Sequence, residues 1–440
     1  MQSPGHDQLL RQARQAAKDG NLELADTIYA TLMSRPGFRL EATRFLAYHR
    51  FVQQRFEESC GFAMDALALR PDDRSRINLA LSQFGMGDYA GCEATLARLG
   101  DRRLGYAPLL RGALHHRRGE DRQALACFES CMPGYTDGKP GQSPLPPLIA
   151  RLFMLAEKAR KAWLQSIHRR MLDGLLERHG DKALRRIRLA IAHFHGGSEP
   201  WQHELQQPAF FYVPGLPPRT WFEREEFAWV KAFEERADAI RLEYDRVVAG
   251  RRSRLVPYVT PGQNAPRESW GHLTGTNGWL SLHLLKGGRR VEPNASDMPN
   301  TMAALKLVDL PRCAGNCPEA FFSALAPRTR IPPHHGLTNY KLVGHLALDI
   351  PPDCGIRVGG QARPWQRGHC LFFDDSFVHE AWNDSGEHRT VLIFDVWHPA
   401  LTAIERSALT LLSTPIEAFY EYRLSVIGPA LSGAVAPVLP

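Results

Sequence analysis

The pattern of apolar and polar positions divides the chain into a helical first part and a strand-rich second part. From Gly5 to about Gly134 apolar residues recur at helical spacing. From Val256 onward apolar and polar residues alternate over short runs, with Gly, Pro and Asp turns between them. At 440 residues the chain exceeds the usual size of one hydrophobic core, so we expect two domains.

A helical sequence pattern occurs four times in the first part, with starts separated by 34, 33 and 32 residues. The starts are Gly20, Gln54, Gly87 and Gly119, and the small residues five positions later are Ala25, Ser59, Cys92 and Ala124. Small residues let paired helices approach closely, and prolines close three of the four units. The pattern resembles tetratricopeptide repeats, which implies an α-solenoid of helical hairpins that binds a peptide or protein. An ordinary helical bundle is the alternative.

A Pro/Gly loop over 138–147 separates these repeats from Leu148–His195, which predicts two or three capping helices with a break at Gly180. Turn residues over 196–200 then mark a boundary. We therefore predict a helical repeat domain over 1–197, a second domain over 205–425 and a flexible tail over 426–440.

The second domain is predicted to contain short strands with few helices. We expect a strand at Phe210–Val213, an amphipathic helix over Trp221–Val248, a short helix over 300–307 and a final helix over Leu401–Tyr422. The other strand candidates are Gly278–Leu285, Ala320–Leu325, Tyr340–Ile350, Gly355–Val358, Cys370–Phe373 and Arg389–Val396. Short strands with regular turns favour a double-sheet jelly roll.

Composition and charge exclude several classes of protein. The net charge is +7, but the basic residues are scattered pairs without interleaved aromatics, which argues against nucleic-acid binding. The first residues lack the apolar core of a signal peptide and no window approaches a membrane span, so we expect a cytoplasmic protein.

Eight cysteines occur without the paired CxxC spacing of a zinc ribbon. Cys127 and Cys131 are four residues apart, as are Cys313 and Cys317, and each pair could face one another on a helix. We predict that the cysteines are reduced structural thiols, as is usual in a cytosol.

Candidate chemistry is concentrated between residues 323 and 389. In the strand Tyr340–Ile350 one alternating set is apolar, so the other set, which includes His345, projects the opposite way. Arg389 starts an otherwise apolar strand and suits bidentate binding of a carboxylate at a barrel mouth.

Two more histidines, His334 and His379, lie in turn-like sequence beside strands, 45 residues apart. Imidazoles in a barrel with open coordination positions suit ferrous iron, for which the usual set adds a carboxylate. Position 336 is Gly, so His334 does not begin a His-x-Asp motif.

These residues resemble the aspartyl/asparaginyl β-hydroxylase family of Fe(II)- and 2-oxoglutarate-dependent oxygenases. The resemblance covers about 210–399, and its most specific phrase is Phe373-Asp-Asp-Ser-Phe-Val-His-Glu-Ala-Trp-Asn383. It implies a double-stranded β-helix, cupin-like, with flanking helices. Members with tetratricopeptide repeats before the catalytic domain include the animal aspartyl hydroxylase, so the domain order also agrees.

The resemblance implies roles for individual residues. His334 and His379 would be the iron ligands, with water in the place of an acidic ligand, as Gly336 allows. Asp375 would orient bound water beside the iron. Ser323, His345 and Arg389 match positions that hold 2-oxoglutarate. The family has an arginine two residues before the His345 position, where this chain has Val343; Lys341 lies on the same strand face and is the candidate substitute.

The implied reaction uses Fe(II), 2-oxoglutarate and O2 to hydroxylate an unactivated C–H bond. The family reaction is at the β-carbon of an Asp or Asn residue in a protein or peptide, and relatives act on free amino acids or lipid A. One alternative, which Val343 motivates, is a tetratricopeptide adaptor with a catalytically degenerate barrel. Another is a metal-dependent enzyme that does not use 2-oxoglutarate. The sequence does not determine the oligomeric state.

Overall fold

The structure is a computed structural model that describes residues 5–100, 104–131, 145–197, 200–250, 254–260, 267–313 and 315–414. Contacts between residues divide the chain into one unit built on Met1–Leu164 and another built on Gln165–Ala418. The division falls inside a long helix, Pro147–His179, whereas the sequence predicts the domain boundary at residue 197. The predicted tail over 426–440 lies outside the described residues.

The described part of the first unit is helical throughout. Its helices are α1 (His6–Lys18), α2 (Leu22–Leu32), α3 (Arg39–Val52), α4 (Phe56–Leu69), α5 (Asp73–Met86), α6 (Tyr89–Ala97), α7 (Ala107–Arg117), α8 (Asp121–Glu129) and the start of α9 (Pro147–His179). Helices α2, α4, α6 and α8 each begin two residues after a predicted repeat start. The helical first part is therefore confirmed, and stacking of the tetratricopeptide type stays a prediction.

The repeat starts share a left-handed backbone. Gly20, Gly87 and Gly119 have φ of 77°, 84° and 73°, and Gln54 has φ of 60°. Glycine adopts this conformation without a steric cost, which explains its recurrence at helix ends. The small residues five positions after the starts, Ala25, Ser59, Cys92 and Ala124, are all 0% exposed, so each lies where a larger side chain would separate the helices.

The second unit contains helices and two antiparallel sheets. Its elements after α9 are α10 (Asp181–Phe194), β1 (Trp221–Phe222), a 3-10 turn (Arg224–Glu226), α11 (Val230–Glu234), α12 (Ala237–Gly250), β2 (Val256–Pro257), α13 (Arg267–Trp270), β3 (Trp279–Lys286), β4 (Arg289–Arg290), α14 (Asn294–Asp297), α15 (Pro299–Leu305), β5 (Ala320–Leu325), β6 (Thr329–His334), β7 (Lys341–Asp349), β8 (Cys354–Val358), β9 (Gln361–Arg363), β10 (Cys370–Phe373), β11 (His379–Asn383), β12 (Arg389–Trp397) and a final helix over 403–414. The break at Gly180 is confirmed. Among the described helices none is long and apolar enough to cross a bilayer.

The strand order of the larger sheet is β1-β10-β7-β12-β5-β3-β2, with β4 paired to β3, and that of the smaller sheet is β6-β11-β8-β9. Helices α11, α12 and α15 cover one face of the larger sheet, where Phe233 and Ile240 pack against Phe322 and Phe394. The other face packs on the smaller sheet. Both alternating sets of β7 are thus buried, and the set that includes His345 faces the space between the sheets. The two antiparallel sheets fit the predicted jelly roll.

Helix α10 belongs to the second unit. Its residues Leu184 and Ile187 lie in a core cluster with Tyr340 and Trp397. The sequence assigns this helix to the cap of the repeat domain instead, because its basic, amphipathic pattern does not show which core its apolar face joins.

Two sequence predictions about the start of the second unit are wrong. The helix predicted over Trp221–Val248 is broken, because Trp221 and Phe222 pair with Phe373 and Phe372 of β10 and helix resumes only at Val230. The strand predicted at 210–213 is reduced to an isolated bridge between Phe211 and Thr338.

Strands β6 and β11 were not among the predicted strands. Pro332 and Pro333 lie in β6, and prolines usually argue against a strand. They are tolerated because β6 is at the edge of the smaller sheet, where one side of the strand needs no donors. The histidines predicted in turns therefore lie on strands, at the end of β6 and the start of β11.

Candidate active site

Two histidines face each other across neighbouring strands of the smaller sheet. His334 and His379 are paired in the register of β6 and β11, and their ring centroids are 4.0 Å apart. Nδ1 of His334 lies 2.8 Å from the carbonyl oxygen of Pro332, and Nδ1 of His379 lies 2.9 Å from that of Phe377. Because a carbonyl only accepts, each Nδ1 carries the hydrogen and each Nε2 keeps its lone pair.

Burial keeps both imidazoles neutral. It lowers the pKa of His334 to about 3, with a further contribution from His379, and lowers the pKa of His379 to about 4. A neutral imidazole whose Nδ1 hydrogen is held by a carbonyl is the form that binds a divalent metal through Nε2. At neutral pH the pair is ready to bind metal without first losing protons.

The carboxylate of Asp375 occupies the space beside Gly336. A Cβ at position 336 would lie 2.1 Å from Oδ2 of Asp375, and the backbone N–H of Gly336 donates to the carbonyl of Asp375 at 2.6 Å. Oδ1 of Asp375 is buried without a partner among the described residues. Burial raises the pKa of this carboxyl group, while the nearby Lys341 lowers it. The chain therefore provides a carboxylate where a His-x-Asp motif would provide its own.

No group of three or more His, Cys, Asp or Glu side chains within the described ranges is arranged to hold a metal. The assignment of His334 and His379 as metal ligands without an acidic ligand stays a prediction.

Arg389 marks the other end of the site. Its side chain is 1% exposed, Nη1 lies 3.5 Å from Oγ of Ser323, and Nε has no partner among the described residues. Ser323 also accepts a hydrogen bond from Nε1 of Trp279 at 2.9 Å. Burial lowers the pKa of Arg389 to about 10, so the group remains a cation at neutral pH. A buried guanidinium with unused donors is suited to a ligand carboxylate.

Trp365 connects Arg389 to His345. Its Nε1 donates to Nδ1 of His345 at 3.2 Å, and its ring lies 4.8 Å from Cζ of Arg389. Burial and the charge of Arg389 lower the pKa of His345 well below its usual range, so the ring is neutral. Because Nδ1 accepts from Trp365, Nε2 carries the hydrogen and serves as a donor. His345 and Arg389 together offer donors to an anion.

Lys341 is already paired with a carboxylate. Its Nζ lies 2.6 Å from Oδ1 of Asp395, and both side chains are almost fully buried. Burial alone would lower the pKa of Lys341, but the carboxylates of Asp395 and Asp375 raise it above its usual value. Oδ2 of Asp395 accepts from the backbone N–H of Glu319 at 2.7 Å. The register places Val343 opposite Asp395, so the position at which the resemblance implies an arginine is apolar and lies beside this ion pair.

All seven residues singled out from the sequence line one cavity of about 400 Å³ between the two sheets. They are Ser323, His334, Lys341, His345, Asp375, His379 and Arg389. Sequence reasoning missed Glu319, Tyr258, Trp279 and Trp365, which lie outside the histidine motifs. The sequence does offer a signal for Asp395, because alternation along the strand places it on the same face as Arg389.

Comparison with known proteins shows which family the second unit resembles. Residues 234–399 match the family described as Aspartyl/Asparaginyl beta-hydroxylase. Over these residues, the chain is similar to the aspartyl/asparaginyl beta-hydroxylase family.

Individual relatives match the same part of the chain. Aspartate beta-hydroxylase domain-containing protein 2 of Xenopus tropicalis is 31% identical over 218 residues, which is 48% of this chain and 56% of the relative. The human domain-containing protein 1 is 32% identical over 250 residues, or 56% of this chain and 62% of the relative. Mouse aspartyl/asparaginyl beta-hydroxylase is 33% identical over 214 residues, or 48% of this chain and 26% of the relative. The chain thus matches less than two thirds of the length of these relatives.

One solved structure, a 2OG-Fe(II) oxygenase family oxidoreductase from Burkholderia pseudomallei, is 11% identical with a TM-score of 0.22 and covers 28% of this chain and 69% of its own. A similarity this low adds nothing to the fold, which rests on the sheet topology above.

Proposed function

We propose that this protein is an Fe(II)- and 2-oxoglutarate-dependent dioxygenase that hydroxylates an unactivated C–H bond. The observation that carries the proposal is the combination, in one cavity, of a histidine pair held through Nδ1 and a buried arginine without a carboxylate partner among the described residues. The similarity of residues 234–399 to the aspartyl/asparaginyl beta-hydroxylase family supports a hydroxylase.

The donor set fits ferrous iron. His334 and His379 would bind the metal through Nε2, and the carbonyls of Pro332 and Phe377 fix the ring orientations. Asp375 would accept hydrogen bonds from water at the open positions, because its Oδ1 is buried and lacks a described partner. When bound with 2-oxoglutarate and O2, the iron supplies the oxidant for C–H hydroxylation, with succinate and CO2 as coproducts.

The cosubstrate pocket is the second part of the proposal. Arg389 would pair with the distal carboxylate of 2-oxoglutarate, Ser323 would donate to it, and His345 would donate through Nε2. Lys341 adds little direct binding here, because Asp395 already neutralises it. The cavity lining also includes apolar side chains, among them Phe321 and Ile393.

The substrate is proposed from the family alone. We propose the β-carbon of an Asp or Asn residue in a protein or peptide, which the helical first unit would bind as a repeat array. A free amino acid or a lipid is the alternative within the same reaction class. We keep the cytoplasmic location as part of this proposal.

A second candidate function is supported by Val343. The residue is buried in the cavity wall, where it offers no charge to a cosubstrate, and the nearby Lys341 is engaged elsewhere. A protein that binds partners through its helical unit, with a barrel that no longer binds 2-oxoglutarate, would show the same features. A metal enzyme that does not use 2-oxoglutarate has no specific observation in its favour.

Succinate formation distinguishes the candidates. Protein loaded with Fe(II) is given 2-oxoglutarate and O2, and succinate is measured for the natural chain, His334→Ala and His379→Ala. The exposed His388 supplies a matched control, His388→Ala. We expect turnover in the natural chain and the control, and loss in the two other variants. No turnover in the natural chain, with Fe(II) bound, would favour the adaptor.

A further inference from the structure

Cys313 and Cys317 face one another across a narrow antiparallel bridge. The backbone N–H of Cys317 donates to the carbonyl of Cys313 at 2.9 Å, and that of Cys313 donates to the carbonyl of Cys317 at 3.2 Å. Their spacing is also compatible with one face of a helix, but here the two residues are paired as antiparallel bridge partners. The chain reverses direction between them, which brings the two residues opposite each other.

The two thiols are adjacent, and Cys313 lines a small cavity of about 40 Å³, which is the route by which a small peroxide would reach it. Each residue is 1% exposed. A hydrogen bond to Cys317 lowers the pKa of Cys313, and burial raises the pKa of Cys317. Hydrogen-bonded antiparallel partners have Cα atoms about 5.5 Å apart, within the range of about 4.4–6.8 Å that a disulfide spans. A bond between these sulfurs therefore needs little backbone movement.

Two of the residues between the cysteines form part of the cavity wall. Gly315 and Asn316 line the cavity that holds the histidine pair. Nδ2 of Asn316 donates to the hydroxyl of Tyr340 at 2.8 Å. Two residues beyond Cys317, Glu319 also lines the cavity and binds Asp395 through its backbone N–H. A bond between the cysteines would fix this wall at both ends.

We propose that Cys313 and Cys317 form a redox modification site, at which a small peroxide produces an intramolecular disulfide that holds the Gly315–Asn316 wall of the cavity. One sulfur attacks a peroxide oxygen and breaks the O–O bond, which gives a sulfenic acid and one water. The second sulfur attacks the first and releases another water. Two thiols are oxidised, and one hydrogen peroxide is reduced to two waters. Any change in turnover caused by the disulfide rests on the proposed function, whereas formation of the disulfide does not.

Cys127 and Cys131 provide an internal control with the same spacing. Sγ of Cys131 donates to the carbonyl of Cys127 at 3.6 Å, which is a local contact at the end of a helix. Their backbones are not paired as an antiparallel bridge, so the same treatment should leave them reduced.

The test uses the full chain, treated with hydrogen peroxide, alkylated without reduction and digested with trypsin. Cleavage after Arg312 and Arg328 releases one peptide that contains both Cys313 and Cys317. We expect this peptide to be two hydrogen atoms lighter than the dithiol and resistant to alkylation, and to become alkylated after reduction. The peptide with Cys127 and Cys131 should be alkylated on both thiols. Alkylation of both Cys313 and Cys317 after peroxide treatment would overturn the proposal.

Backbone amide exchange tests the effect on the wall. Exchange at Gly315 and Asn316 should slow after oxidation of the natural chain, and peroxide should not change it in Cys317→Ser. Equal exchange before and after formation of the disulfide would refute the proposed wall-holding role. Disulfide formation in a chain that never converts 2-oxoglutarate would support the redox site and count only against the proposed function.

Discussion

The carboxylate of Asp375 occupies the space that a side chain at position 336 would fill. Because a Cβ at position 336 would lie 2.1 Å from Oδ2 of Asp375, the glycine is required by its neighbour. Gly336 thus leaves room for the carboxylate of Asp375 beside the histidine pair.

Gly336→Ala should destabilise the protein by about 1–3 kcal/mol, the usual cost of overpacking a buried site. Urea unfolding of the metal-free chain measures the change. Combining it with Asp375→Ala should recover most of the loss, since the clash then disappears. If Gly336→Ala unfolds at the same urea concentration as the natural chain, the two residues do not compete for space.

Arg389→Met should stabilise the ligand-free protein while it removes binding of 2-oxoglutarate. The reason is that a buried guanidinium without a carboxylate partner among the described residues costs free energy until an anion arrives. Arg389→Lys, which keeps the charge but loses the fork, should weaken binding about 10- to 100-fold. Calorimetry under anaerobic conditions with Fe(II) measures the affinity. Unchanged affinity in Arg389→Met would remove this residue from the cosubstrate site.

Trp365→Phe keeps the ring beside Arg389 but loses the hydrogen bond to His345. Without that donor the His345 ring is free to change tautomer, so the KM for 2-oxoglutarate should rise several-fold at constant iron affinity. Nitrogen NMR of the imidazole reports the tautomer directly. An unchanged tautomer and KM would show that Trp365 only fills space.

The pH dependence of stability should reveal Glu319. Burial, together with the charge of Asp395, raises the pKa of this carboxyl group to about 7. In the folded chain it stays protonated above the pH at which the unfolded chain ionises, so its contribution is present below about pH 4.5 and is lost as the pH rises through about 7. Glu319→Gln should therefore gain stability relative to the natural chain over this window, by at most about 3 kcal/mol. A constant difference between the two proteins would contradict the raised pKa.

The sequence predicted much of the candidate site because its residues follow strand periodicity. Lys341, Val343 and His345 alternate on one strand, and Arg389 shares a face with Asp395, so one-dimensional spacing was sufficient to group them. Strands β6 and β11, which carry the two histidines, were harder to predict. Pro332 and Pro333 argue against a strand in the sequence, and the position of this edge strand depends on partners distant in sequence.

Other features depended on contacts that spacing cannot encode. Trp365 lies between strands and acquires its role only when it packs against His345 and Arg389. Helix α10 joined the second unit because of the surface that its apolar face meets. The pairing of Lys341 with Asp395 likewise depends on tertiary contacts that the sequence spacing does not encode.

In the proposed site, the histidine pair holds Fe(II) and Arg389 holds 2-oxoglutarate in the same cavity. Chelation of the keto-acid to ferrous iron gives a visible charge-transfer absorption, so the direct measurement is an anaerobic spectrum of the Fe(II)-loaded chain on addition of 2-oxoglutarate. The band should develop in the natural protein and in His388→Ala, and be absent in His334→Ala and His379→Ala. A band of full intensity in either of the last two variants, or none in the natural chain with iron bound, would contradict the account.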